Sequence, residues 1–172
     1  SMKYYINTFT NITTPPVITI NDNTGKTLTT LVDNKRLVEK VANLNMPSKE
    51  FFTFTTSDGV ELNGWMMKPA NFDANKKYPV IMHQYSGPGS QRVLDQWNIG
   101  SRSDGGMFEA YMADHGFISV CVDGRGTGGR GAEFEKCTYM NLGVKEARDQ
   151  VETALYLGTL PYVDAKNIGI WG

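Results

Sequence analysis

Phe117-Ile118-Ser119-Val120-Cys121-Val122-Asp123-Gly124-Arg125-Gly126-Thr127-Gly128-Gly129 is the stretch that decides the fold. Six residues, apolar except for Ser119, run straight into a glycine-rich loop, the pattern of a strand covered on both faces. On its N-terminal side, Pro79 to Gln84 reads as a second strand and Met107 to His115, closed by Gly116, as a helix. On its C-terminal side come a long helix from Gly143 to Leu157 and a last strand from Asn167 to Trp171. Strand, helix, strand, helix, strand predicts an α/β fold with a mainly parallel sheet. Chemistry in such sheets gathers at the carboxyl ends of the strands, so the loops after Gln84, Val122 and Trp171 are the ones to read.

The composition changes near residue 60. Of 16 Thr, 12 lie in the first 60 residues, whereas 16 of 18 Gly lie after them, which predicts two structural units. In the first, Tyr4 to Thr10, Val17 to Ile20 and Thr27 to Val32 are short β-branched and aromatic runs separated by Pro15-Pro16 and by Asp22-Asn23-Thr24-Gly25, a meander of antiparallel strands. So few strands do not bury a core by themselves, so the meander belongs to a larger β structure. Lys35 to Leu44 carries apolar residues at helical spacing and reads as a short helix or linker that Met46-Pro47 stops. Glu50 to Thr56, the turn Ser57-Asp58-Gly59 and Val60 to Lys68 then form a hairpin. The boundary falls at residues 48 and 49.

The 172 residues carry 17 Lys plus Arg and 18 Asp plus Glu, a formal net charge of -1, so neither nucleic acid nor an anionic membrane surface is supported as a partner. The longest apolar runs are far shorter than the roughly 20 residues of a membrane-spanning helix. Two cysteines, Cys121 and Cys137, and two histidines, His83 and His115, supply neither a disulfide framework nor a metal site, and no metal or cofactor is expected. Gly124-x-Gly126-x-x-Gly129 matches the dinucleotide fingerprint formally. However, it does not open an apolar helix, and the acidic residue at about the right distance, Asp149, lies inside a helix, so it reads as a strand-end turn.

Three loops carry candidate chemistry. In Gln84-Tyr85-Ser86-Gly87-Pro88-Gly89-Ser90-Gln91 a tyrosine hydroxyl at a strand end is a potential oxyanion donor, with plain packing as the alternative. Asp123 and Arg125, two residues apart, read as a pair that braces the glycine loop. Ile168-Gly169-Ile170-Trp171-Gly172 is a strand that runs into glycine, the way a nucleophile elbow, Gly-x-Ser-x-Gly, begins; Gly172 is then its first glycine.

Taken in order, Ser57-Asp58-Gly59-x-x-Leu62-x-Gly64-Trp65, Tyr78-Pro79-Val80, Tyr85-Ser86-Gly87-Pro88-Gly89-Ser90-Gln91, Val122-Asp123-Gly124-Arg125-Gly126-Thr127-Gly128, Asp149-Gln150 and Ile168-Gly169-Ile170-Trp171-Gly172 resemble the prolyl oligopeptidase family of serine peptidases over residues 50 to 172. The resemblance implies that residues 1–48 are the end of a β-propeller domain plus linker. Residues 49–172 are then the N-terminal portion of an α/β-hydrolase domain, with Tyr85 in the oxyanion hole. It further implies removal of N-terminal dipeptides, with Pro or Ala second, by a Ser-Asp-His triad whose members all follow the elbow. A periplasmic, secreted or membrane-anchored parent goes with it. None of the eight serines stands in a Gly-x-Ser-x-Gly frame. The chain is therefore expected to be an inactive piece of the peptidase, with a peptide as the parent's substrate and with an exposed sheet edge that leads to homo-oligomers or association. Two further readings accompany this one: a non-catalytic remnant that binds a partner, and a parent with esterase or endopeptidase specificity.

Overall fold

The computed structural model describes residues 2–44, 46–97 and 106–172. Its described residues form two compact units, one of residues 2–44, 46 and 95–97, the other of residues 47–94 and 106–172.

In the first unit β1 (Tyr4–Asn11), β2 (Thr14–Asp22) and β3 (Thr27–Val32) pair antiparallel in the order β1-β2-β3. The expected break at Pro15-Pro16 does not occur: β2 runs through both prolines. They sit where the β1 register shifts between Phe9 and Asn11, and β3 begins to pair only at Ile18, so the missing N–H groups fall outside regular pairing. The turn at Asp22 is as the sequence predicts. Its carboxylate accepts from the Thr24 N–H (2.9 Å) and hydroxyl (2.6 Å) and from the Lys26 N–H (3.1 Å), while Gly25 takes φ 91°. The short helix α1 (Lys35–Ala42) follows, and Asn34 donates to the Pro16 carbonyl at 2.6 Å. Only Pro15 and Asn21 are buried among the described residues up to 46, so this meander has no core of its own.

The second unit is a five-stranded sheet in the order β4-β5-β7-β6-β8, formed by β4 (Ser48–Thr55), β5 (Glu61–Lys68), β6 (Tyr78–His83), β7 (Ile118–Asp123) and β8 (Val163–Trp171). The sheet is mixed rather than mainly parallel. β6 pairs parallel with β7 and β8, but β4/β5 and β5/β7 are antiparallel, because the tight Ser57-Asp58-Gly59 turn folds β5 back on β4 and presents it reversed to β7. Three helices complete the unit: α2 (Gly106–Asp114), α3 (Ala132–Lys136) and α4 (Val144–Thr159). One turn of helix, α3, stands where the sequence suggested only loop; five residues are too few to show a period.

Strand alternation divides the side chains between two layers. Val80 and Met82 of β6, with Ile118, Val120 and Val122 of β7, join Phe54, Leu62, Met66 and Val163 around Leu157 of α4. The Phe54 and Tyr156 rings stack at 4.6 Å. Each fully buried Leu or Val contributes about 1.5–3 kcal/mol, so this layer is what fixes α4 against the sheet. The opposite face carries His83, Ser119 and Cys121 and meets α2, with Ser119 donating to the Glu109 carbonyl at 3.2 Å. The chain passes from β6 to β7 on the α2 side, then crosses back over β6 on the α4 side to reach β8. Crossovers that run in opposite directions open a crevice at the carboxyl ends of these strands.

Candidate functional site

Tyr85 lies two residues beyond the carboxyl end of β6, with 56% of its surface exposed. Its loop is tied at several points. Gln84 donates its N–H to the Trp171 carbonyl of β8 at 2.9 Å. Gly87 and Gly89 take φ 108° and 79°, conformations that other residues rarely adopt, which lets the Ser90 N–H reach the Gly87 carbonyl at 3.1 Å and the Ser90 hydroxyl donate to the Tyr85 carbonyl. From α4, the Gln150 amide donates to both the Ser86 hydroxyl (3.3 Å) and the Val122 carbonyl (3.2 Å), which bridges the ends of β6 and β7. The Gly128 N–H adds a bond to the Ser90 carbonyl at 2.9 Å.

Asp123, the last residue of β7, is buried and accepts the Arg92 N–H at 3.0 Å on each of its oxygens and the Val93 N–H at 2.9 Å. Burial pushes its carboxyl above the usual range, and the N–H bonds from Val93 and Arg92 pull in the opposite direction. Arg125 does not pair with Asp123, which corrects the expected brace. Its Nε donates to both Asp149 oxygens at 3.1 Å, its Nη2 approaches Asp149 Oδ1 at 2.6 Å, and its Nη1 reaches Asp58 at 2.8 Å. The Arg125 backbone N–H also donates to Asp149 at 2.6 Å, and a β-carbon on Gly124 would lie 3.0 Å from that of Asp149, so any larger residue there would require loop or helix to give by a few tenths of an ångström. These bonds raise the Arg125 pKa, so it stays a cation. Asp58 is held at a pKa of about 2, first by the hydrogen bond from the Thr56 hydroxyl at 2.7 Å and then by Arg125.

At the end of β8, Gly172 lies against the Gln84 carbonyl, where a β-carbon would not fit. Trp171 stacks on His83 at 4.6 Å, and His83 Nδ1 lies 3.4 Å from Glu109 Oε1. His115 sits at the end of α2 with Nδ1 2.8 Å from the Tyr111 carbonyl. Tyr85, Asp123 and Gly172 thus meet around the ends of β6, β7 and β8, while the Arg125 side chain turns away to brace α4. Asp149 and Arg92 emerge as residues that the sequence reading assigned no role in the site. For Asp149 the signal was its place in the Asp149-Gln150 pair that takes part in the family resemblance, which gave it no partner. For Arg92 there was none. What the arrangement offers chemically is a phenol O–H at a solvent-facing crevice, on a loop clamped from three strands and one helix.

Residues 107–172 match the model of the prolyl oligopeptidase family. The chain is 33% identical, over 98% of its length, to the Aspergillus flavus protein named "Probable dipeptidyl peptidase 4", of which it covers 22%. It is 42% identical over 151 residues to the Arthroderma gypseum protein named "Probable dipeptidyl-aminopeptidase B", covering 16% of that protein. Among solved structures, the crystal structure of Porphyromonas gingivalis dipeptidyl peptidase 4 superposes with a TM-score of 0.90 at 48% identity, over 99% of this chain and 23% of the other. The chain therefore spans less than a quarter of these relatives.

Proposed function

Because the chain belongs to the prolyl oligopeptidase family, we propose that it is part of a serine exopeptidase that releases N-terminal dipeptides with Pro or Ala in second position, and that Tyr85 is a donor of the oxyanion hole. The observation that carries this reading is the clamped Tyr85 loop at the mouth between β6 and β8. In the reaction a serine oxygen adds to the scissile carbonyl carbon and a histidine takes the serine proton. The carbonyl π pair moves onto oxygen, where the Tyr85 O–H and the backbone N–H after the serine donate to it. Collapse breaks the C–N bond as the histidine protonates the leaving amine; water then repeats the sequence and frees the dipeptide.

The serine, aspartate and histidine belong to residues other than these 172, since no serine here stands in the elbow frame. Residues 1–48 are then the end of a β-propeller domain, and residues 49–172 the first part of an α/β-hydrolase domain. A meander that buries two of its described residues up to position 46 supports the former. Studied by itself, the chain associates through the edge strand β8, where Ile170 is 56% exposed. Light scattering is expected to give more than the monomer mass.

Two assays test the function. The full-length protein is expected to cleave Xaa-Pro and Xaa-Ala amides with a free N-terminus and to spare N-blocked peptides and simple esters. The 172-residue chain is expected to leave all of them intact and to take up no fluorophosphonate label. A full-length protein that prefers blocked peptides or esters overturns the dipeptidyl specificity, and turnover by the chain alone overturns the assignment of the triad to other residues.

A further inference from the structure

We propose that Arg92 is a positioning residue for the Tyr85 hydroxyl. The inference rests on the reading of Tyr85 as an oxyanion donor and adds to it the group that holds and polarises the phenol. The Arg92 guanidinium carbon lies 4.5 Å from the centroid of the Tyr85 ring, well inside the roughly 6 Å over which a cation is drawn to an aromatic face. Its backbone is pinned from two strands: Asp123 at the end of β7 accepts the Arg92 N–H, and Trp65 of β5 donates its indole N–H to the Arg92 carbonyl at 3.2 Å. The side chain thus starts from a fixed base, whereas the Tyr85 ring is more than half exposed and packing alone does not set its orientation.

A cation on the ring face has two consequences. It selects the ring orientation that keeps the face covered, which holds the O–H in one direction. It also draws electron density from the ring, so the O–H becomes a stronger donor as negative charge develops on the substrate oxygen. A planar guanidinium stacks on the ring as an ammonium does not, yet both carry the charge. This arrangement also gives Asp123 a purpose that pairing with Arg125 did not: it fixes the segment that carries the cation.

The test is a set of variants in the full-length enzyme, read as kcat and KM on an Xaa-Pro amide: Tyr85→Phe, Arg92→Met, Arg92→Gln, Arg92→Lys and the double variant Tyr85→Phe with Arg92→Met. Arg92→Met and Arg92→Gln are expected to lower kcat about tenfold with KM within about twofold, and Arg92→Lys to keep most of the activity. In the Tyr85→Phe background Arg92→Met should have no further effect, because the hydroxyl it serves is gone. Tyr85→Phe at wild-type kcat would overturn the reading of Tyr85 itself. A large loss in Tyr85→Phe with full kcat in Arg92→Gln, or an Arg92→Met loss that simply multiplies that of Tyr85→Phe, overturns the role of Arg92 alone. Equal losses in Arg92→Lys and Arg92→Met do the same, since the charge is then irrelevant.

Discussion

Gly172 rests so closely on the Gln84 carbonyl that no β-carbon fits between them, and the Gln84 N–H returns a bond to Trp171. The end of β8 and the residue before Tyr85 are therefore one mechanical unit: a shift in either displaces the other. Gly172→Ala is expected to push Gln84 away and to destabilise the fold by about 1–3 kcal/mol, the usual range for forcing an extra carbon into a packed site. Urea unfolding of wild type and variant checks this, and an unchanged midpoint would show that the contact is slack.

Removal of the Asp149 carboxylate leaves the Arg125 guanidinium, whose side chain is 10% exposed, with Asp58 as its remaining carboxylate partner. Asp149→Ala is expected to cost about 3–5 kcal/mol, the range for breaking a buried ion pair from one side. Asp58, the more exposed partner, should matter less when it is replaced by Asn. Chemical denaturation of the two variants orders them, and a loss for Asp149→Ala no larger than that for Asp58→Asn contradicts the assignment.

The pH dependence of stability has two contributions of opposite sign. The folded pKa of Asp58, about 2, lies below its ordinary 3.8, so its contribution is present above about pH 4 and is lost as pH falls toward 2. The folded pKa of Asp123 is raised by burial, so its contribution is present at low pH and is lost as pH rises from 3.8 through the elevated value. Thermal melts across pH 2 to 7 should show the acid-side loss reduced in Asp58→Asn, and the decline just above pH 4 reduced in Asp123→Asn. Identical profiles for wild type and both variants would remove either carboxylate from the account.

The sequence conveyed most where structure is local. The hairpin, β3, β7 and α4 stand close to where periodicity and turn residues put them, because alternation, helical spacing and glycine act over a few residues. Pro15-Pro16 misled because tolerance of proline depends on the register of a partner strand, which single-sequence patterns do not report. The mixed sheet came from β5 lying beside β7, a pairing 50 or more residues apart in the chain. The candidate site was legible in Tyr85, Asp123 and Gly172 as residues at strand ends, but not in their partners. The bond from Arg125 to Asp149 spans 24 residues, and Arg92 reaches Tyr85 from a backbone held by Asp123 and Trp65, both about 30 residues away in the chain.

The central claim is that the Tyr85 hydroxyl donates to the developing oxyanion, and kcat of Tyr85→Phe in the full-length enzyme on an Xaa-Pro amide tests it most directly. The expected result is a fall of about 10²–10³ in kcat with KM little changed, the loss seen when one oxyanion donor is removed. A kcat within twofold of wild type would contradict it.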